Sequence, residues 1–310
     1  MIEEPSLLSE PLSPEPVAKL PFPFNQHTFC RYEPIEKRIE EARVLVVDSL
    51  LQDEDFISDV ARKEWGSTTA LEIKRERNIA GMAMENILSN IERLVKAPTT
   101  EVTHLGTVAA AAEDFKPDAI VLSGTLRDFD YYNPAVIETF GEFIRDTKIP
   151  VLAICGGHQL VGLSFGARVI TLDRLEQHEQ RLNRPSEYQY RFIRITNAKD
   201  PIFKGMANPS SGIWQDYTTE ARVLRVWQNH GLQLDRVPEG FELLATSYLC
   251  RNQMMVKRSE GQMIYAVQFH LEKSFEDWNK SRTRWEHQNE SRDGRILFEN
   301  FLFLALSHPS

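Results

Sequence analysis

Cys155, in the run Ile154-Cys155-Gly156-Gly157-His158-Gln159, is a thiol placed where backbone geometry can activate it. The apolar run Ile149-Pro150-Val151-Leu152-Ala153 precedes it and Leu160-Val161-Gly162-Leu163 follows. That pattern predicts a buried strand, an abrupt glycine-rich turn and a helix. Such a turn holds a side chain proud of the backbone, and the helix N-terminus favours a thiolate. It is the strand–turn–helix elbow of a nucleophile, with sulfur in place of a serine oxygen. Taken alone, the same residue is equally compatible with inert packing.

A cysteine nucleophile needs a base, and the base needs a group to orient it. Val267-Gln268-Phe269-His270-Leu271-Glu272 offers both. At the end of a strand His270 and Glu272 point to the same side, because strand side chains alternate with period two. Glu272 could then accept from one imidazole nitrogen while the other faces the thiol. A lone histidine at a strand end usually just meets water, so the pair carries weight only beside Cys155.

The elements that must position these groups alternate in type. Val44-Leu45-Val46-Val47-Asp48 reads as a buried parallel strand, residues 53–65 as a helix, and Leu71-Glu72-Ile73 as a weaker strand. A helix is expected over 82–96, a strand over Val102 to Leu105, and a strong strand over Ala119-Ile120-Val121-Leu122 ending at Ser123-Gly124. A helix from Pro134 to Thr147 begins with proline, and the Val151–Ile154 strand follows. The expectation is an α/β fold with an open, mostly parallel sheet flanked by helices, flavodoxin-like, whose ligands bind at the carboxyl ends of strands. Ser123-Gly124 and Cys155 both fall there. After Gly166 the pattern turns to antiparallel strands: Phe192–Thr196, Val223–Gln228, Phe241–Thr246, Met254–Lys257 and Met263–Phe269, with a closing helix from Arg295 to Leu306.

The chain has 310 residues, 42% of them hydrophobic and 26% charged, as suits a globular protein with a sizeable core. A net charge of −9 argues against nucleic acid or an anionic membrane as main partner. Cys30, Cys155 and Cys250 are odd in number and far apart, so no disulfide framework is implied and a reducing compartment is expected. No apolar stretch has the length of a membrane span, and the acidic start Met1-Ile2-Glu3-Glu4-Pro5 lacks a signal-peptide pattern, so a cytoplasmic location is expected. Residues 1–41 carry Pro5, Pro11, Pro14, Pro16, Pro21, Pro23 and Pro34 and read as an extended or disordered arm, with residues 42–310 as one domain. The charged stretch 273–295, with Trp278 and Trp285, reads as a solvated helix or long loop.

The combination of motifs resembles the class I glutamine amidotransferases. The stretch Ala153-Ile154-Cys155-Gly156-Gly157-His158-Gln159 is similar to the family's Gly-Ile-Cys-x-Gly-His-Gln, and Gln268-Phe269-His270-Leu271-Glu272 to its Gln-Phe-His-Pro-Glu. Between them, Val226-Trp227-Gln228-Asn229-His230-Gly231 and Val237-Pro238-Glu239-Gly240-Phe241 resemble a His-Gly element and a Pro-x-Gly-Phe turn. Leu122-Ser123-Gly124 matches the start of the Ser-Gly-Gly-Pro loop, and Val46-Val47-Asp48 the first strand. The matches run in family order over most of residues 43–306.

The resemblance implies that Cys155 attacks the side-chain amide of L-glutamine, that His270 is general base and then acid, and that Glu272 orients His270. It implies backbone N–H groups of Gly124 and Gly156 as oxyanion donors, and Gln159, Asn229 and Gly231 as holders of the glutamine α-amino and carboxylate groups. The chemistry passes through a γ-glutamyl thioester and calls for neither cofactor nor metal. No synthetase part and no phosphate-binding glycine loop is visible, so the ammonia acceptor is expected on a separate chain. The chain departs from the pattern at Ala153, at Leu271 and at Thr125-Leu126-Arg127, the last bearing on the oxyanion geometry. Asp128-Phe129-Asp130-Tyr131-Tyr132, together with the arm and the charged stretch, is read as a docking surface or lid, or else as surface decoration. The competing readings are hydrolysis of another γ-glutamyl compound and a catalytically silent binding subunit.

Overall fold

The computed structural model describes residues 36–206, 223–259, 261–273 and 292–308. Residues 1–35 of the proline-rich segment lie outside the described residues, as do 274–291 with Trp278 and Trp285, and Cys30.

Strand β1 (Ile39–Asp48) sends Val44 and Val46 into one apolar core and Leu45 and Val47 into another. A strand buried on both faces needs cover on both. One face is covered by α2 (Thr69–Leu94) and α6 (Arg292–Leu306), which contribute Met84, Ile87, Ile91, Leu297, Phe298 and Phe301 to the first core. The other face is covered by α1 (Asp59–Trp65), α3 (Val108–Phe115), α4 (Pro134–Asp146) and α5 (Gly156–Ser164). Helix α4 starts as its sequence predicts: Pro134 occupies the first turn and the Asn133 side chain accepts from Ala135 N–H.

The main sheet has nine strands, in the order β2 (Val95–His104), β1, β3 (Ala119–Leu122), β4 (Val151–Ile154), β11 (Ile264–Val267), β10 (Met254–Lys257), β9 (Glu242–Thr246), β6 (Glu187–Ile195) and β7 (Val223–His230). The first five are parallel and the last four join antiparallel. The expected open sheet with antiparallel strands in the C-terminal half is what forms, with one change. Strand β11 is parallel to β4, with Val267 opposite Ile154. That pairing brings Gln268 and His270 beside the turn holding Cys155. A short antiparallel pair, β5 (Val169–Thr171) with β8 (Leu232–Leu234), stands apart.

Four local expectations are corrected. Leu71-Glu72-Ile73 lies in α2, not in a strand. Its apolar–polar–apolar alternation is overridden by the longer stripe Ile73, Ala80, Met84, Ile87, Ile91 and Leu94, which has helical spacing. The helix expected over 82–96 thus begins at Thr69 and ends at Leu94, where β2 starts. That strand extends well before Val102; it is polar, and tolerates Pro98, because it is an edge. The helix expected over 53–65 is divided, because Ile57 pairs with Tyr132 and Ser58 caps α1 afresh. Among the described residues, no helix is long and apolar enough to cross a membrane.

Candidate active site

Cys155 sits between β4 and α5 with φ +50° and ψ −105°. A non-glycine residue held there is strained, at a cost of about 1–3 kcal/mol, and persists only when its surroundings fix it. Here they do. The Cys155 N–H donates to Val267 O at 2.7 Å, and its carbonyl accepts from Gln159 N–H at 3.2 Å. The next residue must be glycine: a Cβ on Gly156 would fall 2.1 Å from Thr125 Oγ1 and 2.3 Å from Thr125 N. So the loop after β3 lies directly on the elbow. On Gly124 a Cβ would stand 3.4 Å from both Cys155 Cβ and His270 Cε1, which puts this glycine across from the thiol. The N-terminus of α5 has no side-chain cap, leaving its first N–H groups to whatever binds there.

Three features fix the loop after Gly124. Ser123 Oγ accepts from Ser49 N–H and donates to Gly124 O. Arg127 reaches across to α2, pairing with Glu72 at 2.7 Å and the fully buried Glu76 at 2.9 Å. Asp128 is clamped by Arg181 at 2.9 Å and by both arms of Arg184. Thr125-Leu126-Arg127, a departure in sequence, is therefore an ionically anchored loop. Asp128 to Tyr132 is not plain surface decoration, because Phe129, Tyr131 and Tyr132 are buried. Tyr131 packs on Trp65, and the Tyr132 hydroxyl donates to Ser49 O. Alternation alone does not reveal this, since the residues form a short 3-10 turn, Phe129–Tyr131.

His270 and Glu272 share a side as their spacing predicts. His270 Nδ1 lies 2.7 Å from Glu272 Oε1, and the His270 N–H donates to Trp227 O at 2.8 Å. Burial alone would lower the imidazole. The neighbouring Glu272 charge, with the charge and hydrogen bond of Cys155, outweighs it and raises His270 to about 10. Burial would raise Glu272, yet the His270 charge and hydrogen bond hold it below the usual carboxylate range. Leu271, in place of proline, is buried, and α6 seats Gly294 against its backbone, so packing holds the turn. Asn90 of α2 adds a hydrogen bond to Glu272 O at 2.7 Å.

Gln159 is buried, and its Nε2 donates to Leu232 O at 3.1 Å and to Gln268 Oε1 at 3.0 Å. Gln268 Nε2 in turn points at Cys155 Sγ, 3.7 Å away. Asn229 is exposed on β7, two residues beyond the Trp227–His270 pairing. Gly231 leads into β8 and packs against Arg184 and Pro185. The sequence motifs contained Gln268 without suggesting its contact with Cys155. They gave no sign of the ion pairs of Arg127, Arg181 and Arg184, whose partners lie far away in the chain. Burial drives His158 down to about 3, so this motif histidine is a neutral core group rather than a base.

A thiol on a strained elbow, an imidazole raised by a carboxylate, and a glycine set across from the thiol together fit nucleophilic attack on an acyl carbon. A family model described as glutamine amidotransferase class-I matches residues 83–286. Among curated proteins, the chain is 34% identical over 158 residues to a glutamine-hydrolyzing GMP synthase subunit of Thermococcus kodakarensis, covering 51% of this chain and 67% of that one. It is 27% identical over 160 residues to the same subunit of Methanothermobacter thermautotrophicus, covering 52% and 63%. The match thus spans about two thirds of these relatives' length. Among solved structures, a protein of Thermoplasma acidophilum assigned as a GMP synthase subunit superposes with a TM-score of 0.51 at 22% identity, over 86% of this chain and 94% of that one. A glutamine amidotransferase of Thermotoga maritima gives 0.50 at 18%, over 86% and 98%. At these identities the structures speak for the fold.

Proposed function

The chain belongs to the class-I glutamine amidotransferase family, and on that premise we propose that it hydrolyses the side-chain amide of L-glutamine to glutamate and ammonia. The observation that carries this is the 2.7 Å His270–Glu272 pair set against the thiol of the Cys155 elbow. Cys155 sulfur attacks the amide carbon, and the developing oxyanion meets the N–H groups of Gly124 and Gly156. His270 hands its proton to the departing nitrogen, the C–N bond breaks, and a γ-glutamyl thioester and ammonia result. Water then attacks the thioester while His270 takes its proton, and glutamate leaves. Glu272 keeps the imidazole in one orientation and favours its charged form. Gln159, Asn229 and Gly231 hold the amino-acid end of the substrate. No step needs a metal or cofactor.

The ammonia goes to a synthetase on a separate chain. The relatives support this, since each is named as one subunit of a GMP synthase and so implies a partner chain. A cytoplasmic site of action fits free thiols at Cys155 and Cys250. Strand β1 begins at Ile39, inside the stretch that the sequence reads as an arm before a domain of 42–310. The test is glutamate release from glutamine, by the chain alone and with an ATP-dependent synthetase chain from the same source. Turnover is expected, abolished in Cys155→Ala. Turnover of another γ-glutamyl compound in preference to glutamine would overturn the substrate assignment. Absence of turnover in both settings would leave a silent binding protein.

A further inference from the structure

Behind the site stands a second cysteine–histidine–carboxylate set that this reaction does not use. Glu187 opens β6, His230 closes β7, and Cys250 lies in the turn after β9. All three are buried, and one potential ligand atom from each lies within 4.8 Å of the others. It is no second nucleophile. Burial, and then the Glu187 carboxylate, push the Cys250 thiol well above its ordinary range, and the thiol donates to Asn252 O at 3.4 Å.

The histidine is the informative member. His230 Nδ1 lies 2.9 Å from Leu232 O, so it must donate there, and the neutral ring carries its lone pair on Nε2. That Nε2 is buried, makes no aligned hydrogen bond, and sits 3.1 Å from Glu187 Oε2. Two lone-pair atoms at that distance repel unless a cation or a proton joins them. Zinc bonds of about 2.0 Å to nitrogen and oxygen, at a tetrahedral angle, set N and O about 3.3 Å apart. The Glu187–His230 edge already has nearly that length. The outer partners also match a metal site. Ser247 Oγ donates to Glu187 Oε1 at 3.0 Å, Gln253 Nε2 donates to Oε2 at 2.7 Å, and a backbone carbonyl orients the imidazole.

We propose that Glu187, His230 and Cys250 form a buried site for a zinc-class divalent cation, bound through Glu187 Oε2, His230 Nε2 and the Cys250 thiolate. On binding, the thiol turns from Asn252 O and its proton is released, so two anionic ligands balance the dication. Leu232 O, which orients His230, also accepts from Gln159, and Gln159 leads through Gln268 to Cys155. The cation would thus brace the strand ends behind the nucleophile. The site does not depend on the proposed activity.

The test uses the full chain as Cys155→Ala, which removes the other thiol–imidazole pair. Co(II) titration should show one equivalent bound with thiolate-to-cobalt charge-transfer absorption, displaced by Zn(II), and Tm should rise with added Zn(II). Adding Cys250→Ser should abolish the band, while Cys30→Ser keeps it. If the Cys250 variant does not fold, Glu187→Gln retains the thiol and should weaken binding about tenfold or more. Absence of the band, its survival in folded Cys250→Ser, or its loss in Cys30→Ser overturns the proposal and leaves Glu187–His230 a charge pair joined by a proton.

Discussion

Glu272→Gln keeps the shape of the side chain facing His270 and removes only its charge. The rise of the imidazole from an ordinary 6.5 to about 10 corresponds to ~5 kcal/mol. Across 2.7 Å, at an effective dielectric constant of 20, unit charges attract by ~6 kcal/mol. Both side chains are largely buried, at 14% and 6% exposure, so solvent screening removes little of this. The pair is a large part of the rise, which the charge and hydrogen bond of Cys155 complete against a burial effect of opposite sign. Without the Glu272 charge, only Cys155 opposes burial, so the imidazole should fall. His270 must be protonated to release ammonia, so activity falls as pH rises through its pKa. We expect the alkaline limb of kcat/KM for glutamine to move down from near pH 10 by about two pH units or more, with kcat at neutral pH lower by about 10²–10⁴. The assay is glutamate release measured from pH 5 to 11, with circular dichroism confirming the fold. An alkaline limb still near 10 with an undiminished rate would refute the reasoning.

Other perturbations test other parts of the architecture. Gly156→Ala drives a Cβ into the backbone of Thr125, which cannot swing away as a side-chain tip could; kcat should fall about 10²–10³-fold while KM changes less. Arg127→Ala removes the ion-pair partner of the buried Glu76, leaving it the Leu51 N–H and the more distant Arg77 charge, and should destabilise the fold by about 3–5 kcal/mol in urea melts. His270 is raised on folding, so its contribution to stability is complete below about pH 6.5 and lost as pH rises through about 10; Tm should decline across that window in the parent and stay flatter in His270→Gln. Gly162→Ala drives a Cβ against the buried Leu234 side chain and should cost about 1–3 kcal/mol of stability with kcat nearly unchanged.

The elbow and the His270–Glu272 pair were legible because each is local: a strand, a turn and a period-two spacing suffice to align them. So were the short β-branched strands of the parallel core. Less local features were hidden. Leu71-Glu72-Ile73 looks like a strand because three residues cannot reveal a stripe that runs on to Leu94. The parallel placement of β11 beside β4, which brings His270 to Cys155, depends on chain reversal through β9 and β10 rather than on any residue in β11. The arginine clamps on Asp128 and Glu76, and the Glu187–His230–Cys250 set, join residues far apart in sequence, so no spacing announces them.

Passage of the reaction through an acyl group on Cys155 sulfur is tested most directly by rapid acid quench during glutamine turnover, followed by peptide mass spectrometry. A glutamyl adduct is expected on the peptide bearing Cys155. It should be absent from Cys155→Ala, and longer-lived when His270 is replaced and acylation is forced with an activated glutamyl ester. Glutamate production by Cys155→Ala, or an adduct on Cys250 instead, would contradict the mechanism.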